Sequence, residues 1–360
     1  MKNNGLKKVT KFISNNSFIF ISVLVIAVYA FVLTNNGIRF NFGHIAGILS
    51  SQNTVIVGVM ALGLALIIIT GGIDLSLGSS LVVCTGVSIM VYNTTYSVPL
   101  MFLAGIVAGA LCGLVNGILV GYVNMPPFIA TLGTQLIYRS VMLFMVRDIS
   151  TDITGSSSSQ FMLKSETPAY DFLRFTLGNG KLKIGTFELP YITLVLIAMV
   201  ALFVVISKMT KFGKRVYAVG SNATAARLAG INVNATKCLV YTLTGALVGV
   251  ASILHACKLG NITPASSGTS YEMYAVIACV LGGINMAGGR GDLLGVAFGA
   301  ISYSAVSMII VSIPGLSVDI QNAFQGLVLI TVILIQLVGP MIKEKSRQLK
   351  KKKEGKAIQA

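Results

Sequence analysis

The pattern G-G-I-[D/N] occurs twice in this sequence, at Gly71-Gly72-Ile73-Asp74 and at Gly282-Gly283-Ile284-Asn285. Adjacent glycines free a backbone to bend, and the acid or amide that follows can cap the next helix. Each stretch lies between two strongly apolar runs. Two readings are open. The stretches are tight turns between hydrophobic hairpins, or they are hinges of a duplicated gate. Broken helices are tolerated in membranes where they are buried in protein or line a polar cavity. Asp74 divides in the same way, as an N-cap near a membrane face or as part of a polar path. A charge at the centre of a membrane helix costs about 2.5–3.5 kcal/mol on insertion scales, so a cap near the face is the less demanding position.

The other polar residues inside apolar runs are Gln52, Asn53, Asn116, Gln135, Arg139, Glu272, Gln321, Asn322 and Gln325. Most are amides, which suit hydrogen bonding to a neutral hydroxylated solute and equip a proton relay poorly. Asp74, Asn116, Gln135, Arg139, Glu272 and Asn285 are the candidates for path or gate. Arg139 and Glu272 equally fit as partners of one another or as helix caps. The five cysteines sit at scattered spacing in apolar runs and read as buried hydrophobes. The two histidines, His44 and His255, are too far apart to suggest a metal centre, so no metal or cofactor is expected. No nucleophile constellation marks a membrane enzyme. The phosphate-cradling pattern G-x-x-x-x-G-K-[ST] is absent: Gly213-Lys214 runs into Arg215, and Gly180-Lys181 into Leu182. If ATP drives this protein, another chain binds it.

What must position these residues is a membrane bundle. Of 360 residues, 54% are hydrophobic and 11% charged, with mean hydropathy +0.83; soluble domains carry about 25% charge. Apolar runs at about 18–34, 46–69, 77–92, 98–122, 128–146, 190–207, 238–257, 271–288, 293–312 and 320–340 predict ten crossings. Weak points at 77–92 and at the Gly-rich stretches leave an eight-crossing version with re-entrant segments open. The expected fold is therefore an all-α membrane protein of about ten helices with broken or re-entrant Gly-rich segments.

The net charge of +16 is concentrated. Eighteen of the 27 basic residues fall in 1–17, 207–237 and the tail from 343. By the positive-inside rule all three are cytoplasmic, and this placement argues for membrane lipid over nucleic acid as the partner of the charge. Segment 147–189 mixes both signs and reads as an outer loop. The expected organisation is a basic N-terminus (1–17), one transmembrane domain (18–342) and a basic tail (343–360), with both termini inside. The first run reads as an uncleaved helix.

The cytoplasmic loop 208–237 contains one more ordered element. Asn222 is a good N-cap, Ala225 through Ala229 favour helix, and Gly230 fits a C-terminal stop. A helix of two turns is unstable alone. It is a surface turn or a compact knob ordered by a partner.

The motif series T-G-G-I-D-L-S-L-G-S (70–79), N-G (116–117), P-P-F-I-A-T-L-G-T (126–134), Y-A-V-G-S-N-A-T-A-A-R-L-A-G-I-N-V (217–233), G-T-S-Y-E (268–272) and L-G-G-I-N-M-A-G-G-R-G (281–291) covers most of the chain. In order and spacing it resembles the permease subunits of bacterial ATP-binding-cassette sugar importers, the ribose-, galactoside- and xylose-type branch. The resemblance implies a ten-helix importer fold in the bacterial cytoplasmic membrane. It implies two such subunits, identical or related, above a separate cassette ATPase, and an extracytoplasmic substrate-binding protein that delivers a monosaccharide or similar small polar solute. It also implies that 222–230 is a coupling helix, with Asn222, Ala225, Ala226, Arg227, Leu228 and Gly230 at the ATPase, and hinges at Gly71, Gly72, Gly282 and Gly283. The outer segment 150–187 is longer than the family leads one to expect. A competing reading is a stand-alone secondary transporter or facilitator of a neutral solute.

Overall fold

The computed structural model describes residues 17–315 apart from 166 and 186, with scattered positions between 320 and 338. The basic N-terminus up to residue 16, the basic tail and, within the 320–340 run, Gln321, Asn322 and seven further positions lie outside the described residues. Eight described helices are long and apolar enough to cross a membrane. They are α1 (Ser17–Asn35), α3 (Gln52–Ile69), α4 (Leu77–Thr95), α5 (Val98–Gly121), α6 (Pro127–Asp148), α9 (Tyr191–Met209), α12 (Val233–Leu259) and α14 (Leu293–Val311).

Two of the ten apolar runs depart from simple spans. The run 46–69 is cut at Ser51, whose extended backbone ends α2 (Phe42–Ser50) while its side chain accepts from the amide of Thr54 and starts α3. The run 271–288 is helical only over α13 (Tyr271–Leu281), because Gly282 and Gly283 close the helix. At 1.5 Å per residue, 11 residues span about half of a bilayer core of about 30 Å.

Helix α3 is the axis of the bundle. It is apolar all round and buried from Thr54 to Ile69, as such a helix must be. Around it pack α9, α12, α13 and α14, with α1 lying outside against α14. Helix α5 runs along α12 through glycines four apart, Gly105, Gly109, Gly113, Gly117 and Gly121. A methyl on Gly109 would stand 2.1 Å from the carbonyl oxygen of Gly245, and one on Gly245 2.0 Å from that of Gly109. Small residues let membrane helices approach this closely, and van der Waals packing then holds them.

One end of the bundle is covered by the segment 147–189 together with the turn after α12. It contains α7 (Thr151–Thr154), α8 (Pro168–Asp171), a π-helical turn (Phe172–Gly178) and the hairpin β2 (Lys181–Ile184) with β3 (Phe187–Pro190). Strand β1 (Phe161–Met162) pairs antiparallel with β4 (Asn261–Ile262). Phe161, Leu163 and Leu173 are buried beneath this cap, and Asn93 at the end of α4 donates to the carbonyls of Ile153 and Met162. The opposite end carries α10 (Lys211–Ser221) and α11 (Ala223–Leu228).

Candidate functional site at two interrupted helices

Both glycine pairs end a helix in the same way, one residue out of step with their sequence alignment. After α3, Gly71 has φ +81°; its amide donates to Ile68 and that of Gly72 to Ile67. After α13, it is the second glycine, Gly283, that has φ +83°; its amide donates to Val280 and that of Ile284 to Cys279. Each is a Schellman closure, which needs a left-handed residue just past the helix and so favours glycine. Gly71 therefore matches Gly283, whereas the motif pairs it with Gly282.

The two closures meet. The amide of Gly289 donates to the carbonyl of Ile69 across 2.9 Å. Helix α10 ends on the same spot: a methyl on Gly220 would stand 1.7 Å from the Ile69 oxygen, and the amide of Gly289 is 2.9 Å from that position. Tyr217 donates its hydroxyl to Gly291 at 2.8 Å, and Lys208 pairs with Asp292 at 2.7 Å. Burial, and secondarily Asp292, pushes the Tyr217 phenol above its usual range, which keeps it a donor. Residues 208–221 are thus fastened to both interrupted segments.

Beyond this clasp projects α11. Asn222 accepts from the amide of Ala225 at 2.9 Å, and Gly230, with φ +79°, closes the other end. Arg227 and Leu228 face solvent, Leu228 with 86% exposure. Ala225 is exposed too, whereas Ala226 is buried against Val219 and Val233 and anchors the knob from within.

Within the bundle, the stretch between α3 and α4 places Asp74 in a polar network. Asp74 Oδ1 accepts from the amide and hydroxyl of Ser76 at 2.8 and 2.7 Å. Asn116 on α5 donates to the Ser76 hydroxyl at 2.8 Å and to Asp74 Oδ2 at 3.4 Å, and accepts from Thr134 on α6 at 2.7 Å. All four residues are buried. Asp74 does not cap α4, whose N-cap is Ser76; it turns back onto Ser76 and is a member of a network joining three elements. Tyr241 on α12 donates to the carbonyl of Ile73 at 2.9 Å and braces the same stretch.

From the covered end, the segment after β4 folds back into the bundle. A methyl on Gly78, in the first turn of α4, would stand 2.0 Å from the carbonyl oxygen of Gly268 and 2.8 Å from Glu272 Oε2. Arg139 on α6 donates to the carbonyls of Pro264 and Ser267 at 2.6 and 3.1 Å. Arg139 and Glu272 form no ion pair; the pairs among the described residues are Lys181–Glu188 and Lys208–Asp292. Glu272 is 8% exposed, and its Oε2 has no hydrogen-bond partner among the described residues. Gln135 is half-buried on α6, one residue after Thr134. Asn285 stands apart in the clasp, where its side chain accepts from the amide of Ala287 at 3.0 Å. Among the described residues no group of three or more His, Cys, Asp or Glu could hold a metal ion.

A family of membrane permeases matches this layout. The model described as "Branched-chain amino acid transport system / permease component" covers residues 44–333. The chain belongs to this permease family. Similar proteins include the galactose/methyl galactoside import permease MglC of Escherichia coli, 29% identical over 80% of this chain and 84% of that protein. The fructose import permease FrcC of Rhizobium meliloti is 33% identical over 79% and 76%. The xylose transport system permease XylH of Haemophilus influenzae is 30% identical over 81% and 89%. No solved structure matches the chain. This permease is therefore a multi-pass membrane protein and the transport component of an ATP-binding-cassette importer, not an enzyme. The stand-alone transporter reading falls with that membership.

Several residues of the site carry no assigned role in the sequence reading, although Gly78, Thr134 and Tyr217 lie within its motifs. Thr134, Tyr241, Gly78 and Tyr217 act through single contacts to backbone or amide groups. The glycines from 105 to 121 did carry a signal, since their spacing of four is written in the sequence.

Proposed function

We propose that this permease imports a monosaccharide or a similar small neutral solute, with residues 222–230 seated in a separate cassette ATPase. The clasp carries this reading: Gly220, Tyr217 and Lys208 tie the knob-bearing helix to the ends of both interrupted segments. A knob moved by a closing ATPase cannot shift without pulling on Ile69 and on 289–292. The first of those segments leads directly to Asp74, and the second follows α13, which carries Glu272 in its first turn. Asp74, Asn116, Gln135, Arg139 and Glu272 then line or gate the path, and Asn285 belongs to the clasp.

The solute assignment rests on the similar permeases, whose names specify galactose, fructose and xylose import. The family description instead names branched-chain amino acids. A zwitterion needs charged partners, whereas the buried network is dominated by hydroxyls and amides, so the sugar class fits better. The basic clusters orient the chain with both termini and the knob in the cytoplasm of a bacterial cell. The covered end then faces outward, toward a substrate-binding protein, and a second permease subunit, identical or related, completes the path.

Co-purification tests the docking. Arg227→Glu combined with Leu228→Asp changes only exposed side chains of the knob. The ATPase is expected to dissociate from this variant while thermal stability is unchanged; full retention of the ATPase would refute the docking assignment.

A further inference from the structure

We infer that an apolar groove between α9 and α14 holds an acyl chain of a phospholipid whose anionic headgroup rests on the basic face of α10. The groove measures about 370 Å³. Val200, Ala201 and Val204 form one wall, and Leu294, Ala297 and Ile301 the other. Its one polar side chain, Thr193, donates its hydroxyl to the carbonyl of Leu49 at 2.9 Å. From Thr193 to Val204 the groove runs about 17 Å along α9, close to the depth of one leaflet of about 15 Å. All of its lining lies within the described residues. The last apolar run reaches α14 at Ser307, where Gln325 donates to the hydroxyl. At about 100° per residue, Ser307 points about 120° away from Ile301 around α14, so that contact lies off the groove.

The exposed apolar stripe of α9, through Leu194, Ile197, Leu202 and Val205, ends at Met209, which is 77% exposed. Cations begin at the same level. Lys208, one turn beyond Val204, pairs with Asp292, two residues before Leu294, so both walls of the groove end at this ion pair. Lys211, Lys214 and Arg215 follow at a spacing of three and four and share one exposed face of α10. None of the three pairs with an acid among the described residues. The terminal segments outside those residues add more positive charge: 1–16 has four lysines and no acid, and 339–360 has eight basic residues against Glu344 and Glu354. Juxtamembrane Lys and Arg attract anionic headgroups. A groove for a hydrocarbon chain that ends beside three unpaired cations matches the two halves of an anionic phospholipid. The site rests on the membrane span and on α10, and not on the docking of the knob or on the solute.

Fluorescence quenching tests it on the full-length permease in liposomes. The chain has no tryptophan, so Ile197→Trp places a single reporter in the groove, and Val107→Trp places one on the exposed face of α5 as a control. Quenching by dibrominated phosphatidylglycerol is compared with quenching by dibrominated phosphatidylcholine at equal mole fraction. The groove reporter is expected to show about a tenfold preference for the anionic lipid, and the control reporter none. Lys211→Gln, Lys214→Gln and Arg215→Gln together, which change exposed side chains only, abolish the preference at the groove reporter. Salt at about 1 M, where the Debye length is about 3 Å, weakens it without any substitution. Equal quenching by the two lipids at Ile197→Trp overturns the inference, as does the same preference at both reporters. A preference that survives the triple substitution also overturns it. If the triple variant instead releases the ATPase and keeps its lipid preference, the cations belong to the ATPase interface and the lipid site fails.

Discussion

Gly289 and Ile69 are 220 positions apart, yet the amide of one donates to the carbonyl of the other across 2.9 Å. This bond consumes a carbonyl at the end of α3, one of the four that every helix leaves unpaired. It links the loop after α13 to the axial helix of the bundle. Helix α10 closes over the bond, leaving no room for a side chain at Gly220. The mechanical consequence is that knob, axis and second interruption move as neighbours in contact.

Gly220→Leu places a side chain on that junction. Overpacking of a close contact typically costs about 1–3 kcal/mol, enough to displace α10. The knob surface itself is untouched, so ATPase binding persists. Solute uptake in proteoliposomes falls more steeply than ATPase association, and the comparison of the two assays checks this.

The α5–α12 seam is a matter of stability. Gly109→Leu collides with the carbonyl of Gly245, whereas Gly133→Ala, on the exposed face of α6, meets nothing within 4 Å. Thermal unfolding in detergent is expected to drop by several degrees for the first. The second leaves Tm unchanged or slightly raised, since alanine favours helix by about 1 kcal/mol over glycine.

How much of this was legible in the sequence depends on where each feature is encoded. Eight spans follow from apolar runs, because hydropathy acts residue by residue. The break at Ser51 lies inside one such run and depends on a single N-cap hydrogen bond, so hydropathy passed over it. The glycine pairs were visible, but their register was not. Which glycine turns left-handed depends on the last helical residue, Ile69 in one case and Leu281 in the other. Arg139 and Glu272 stood out as charges in apolar runs. The partners of Arg139 did not, because the carbonyls of Pro264 and Ser267 leave no mark in a sequence. Ala226 was indistinguishable from Ala225 until α11 was seen to turn one alanine inward.

Arg139 anchors the segment that folds back after β4. Arg139→Met removes both hydrogen bonds to it, and bonds involving a charged group contribute about 1.5–3 kcal/mol each. Amide hydrogen exchange over 263–270 is expected to accelerate in this variant, with that of α3 unchanged. Arg139→Lys, which retains the charge without the planar fork, falls between wild type and Arg139→Met.

Asn116→Ala removes one buried hydrogen-bond partner each from Thr134 and Ser76, whose hydroxyls keep the Thr131 carbonyl and Asp74. The expected destabilisation is about 1–3 kcal/mol, read as a lowered Tm. Asp74→Asn keeps the oxygen that accepts from the Ser76 amide, so its effect on folding is smaller than its effect on uptake.

The most direct test of coupling through the clasp is ATP-driven uptake by the reconstituted permease, ATPase and binding protein, comparing wild type with Gly220→Leu. Uptake should fall about tenfold or more, corresponding to about 1.4 kcal/mol of lost coupling or greater, while ATPase co-purification stays at the wild-type level. Wild-type uptake by Gly220→Leu would contradict coupling through the clasp.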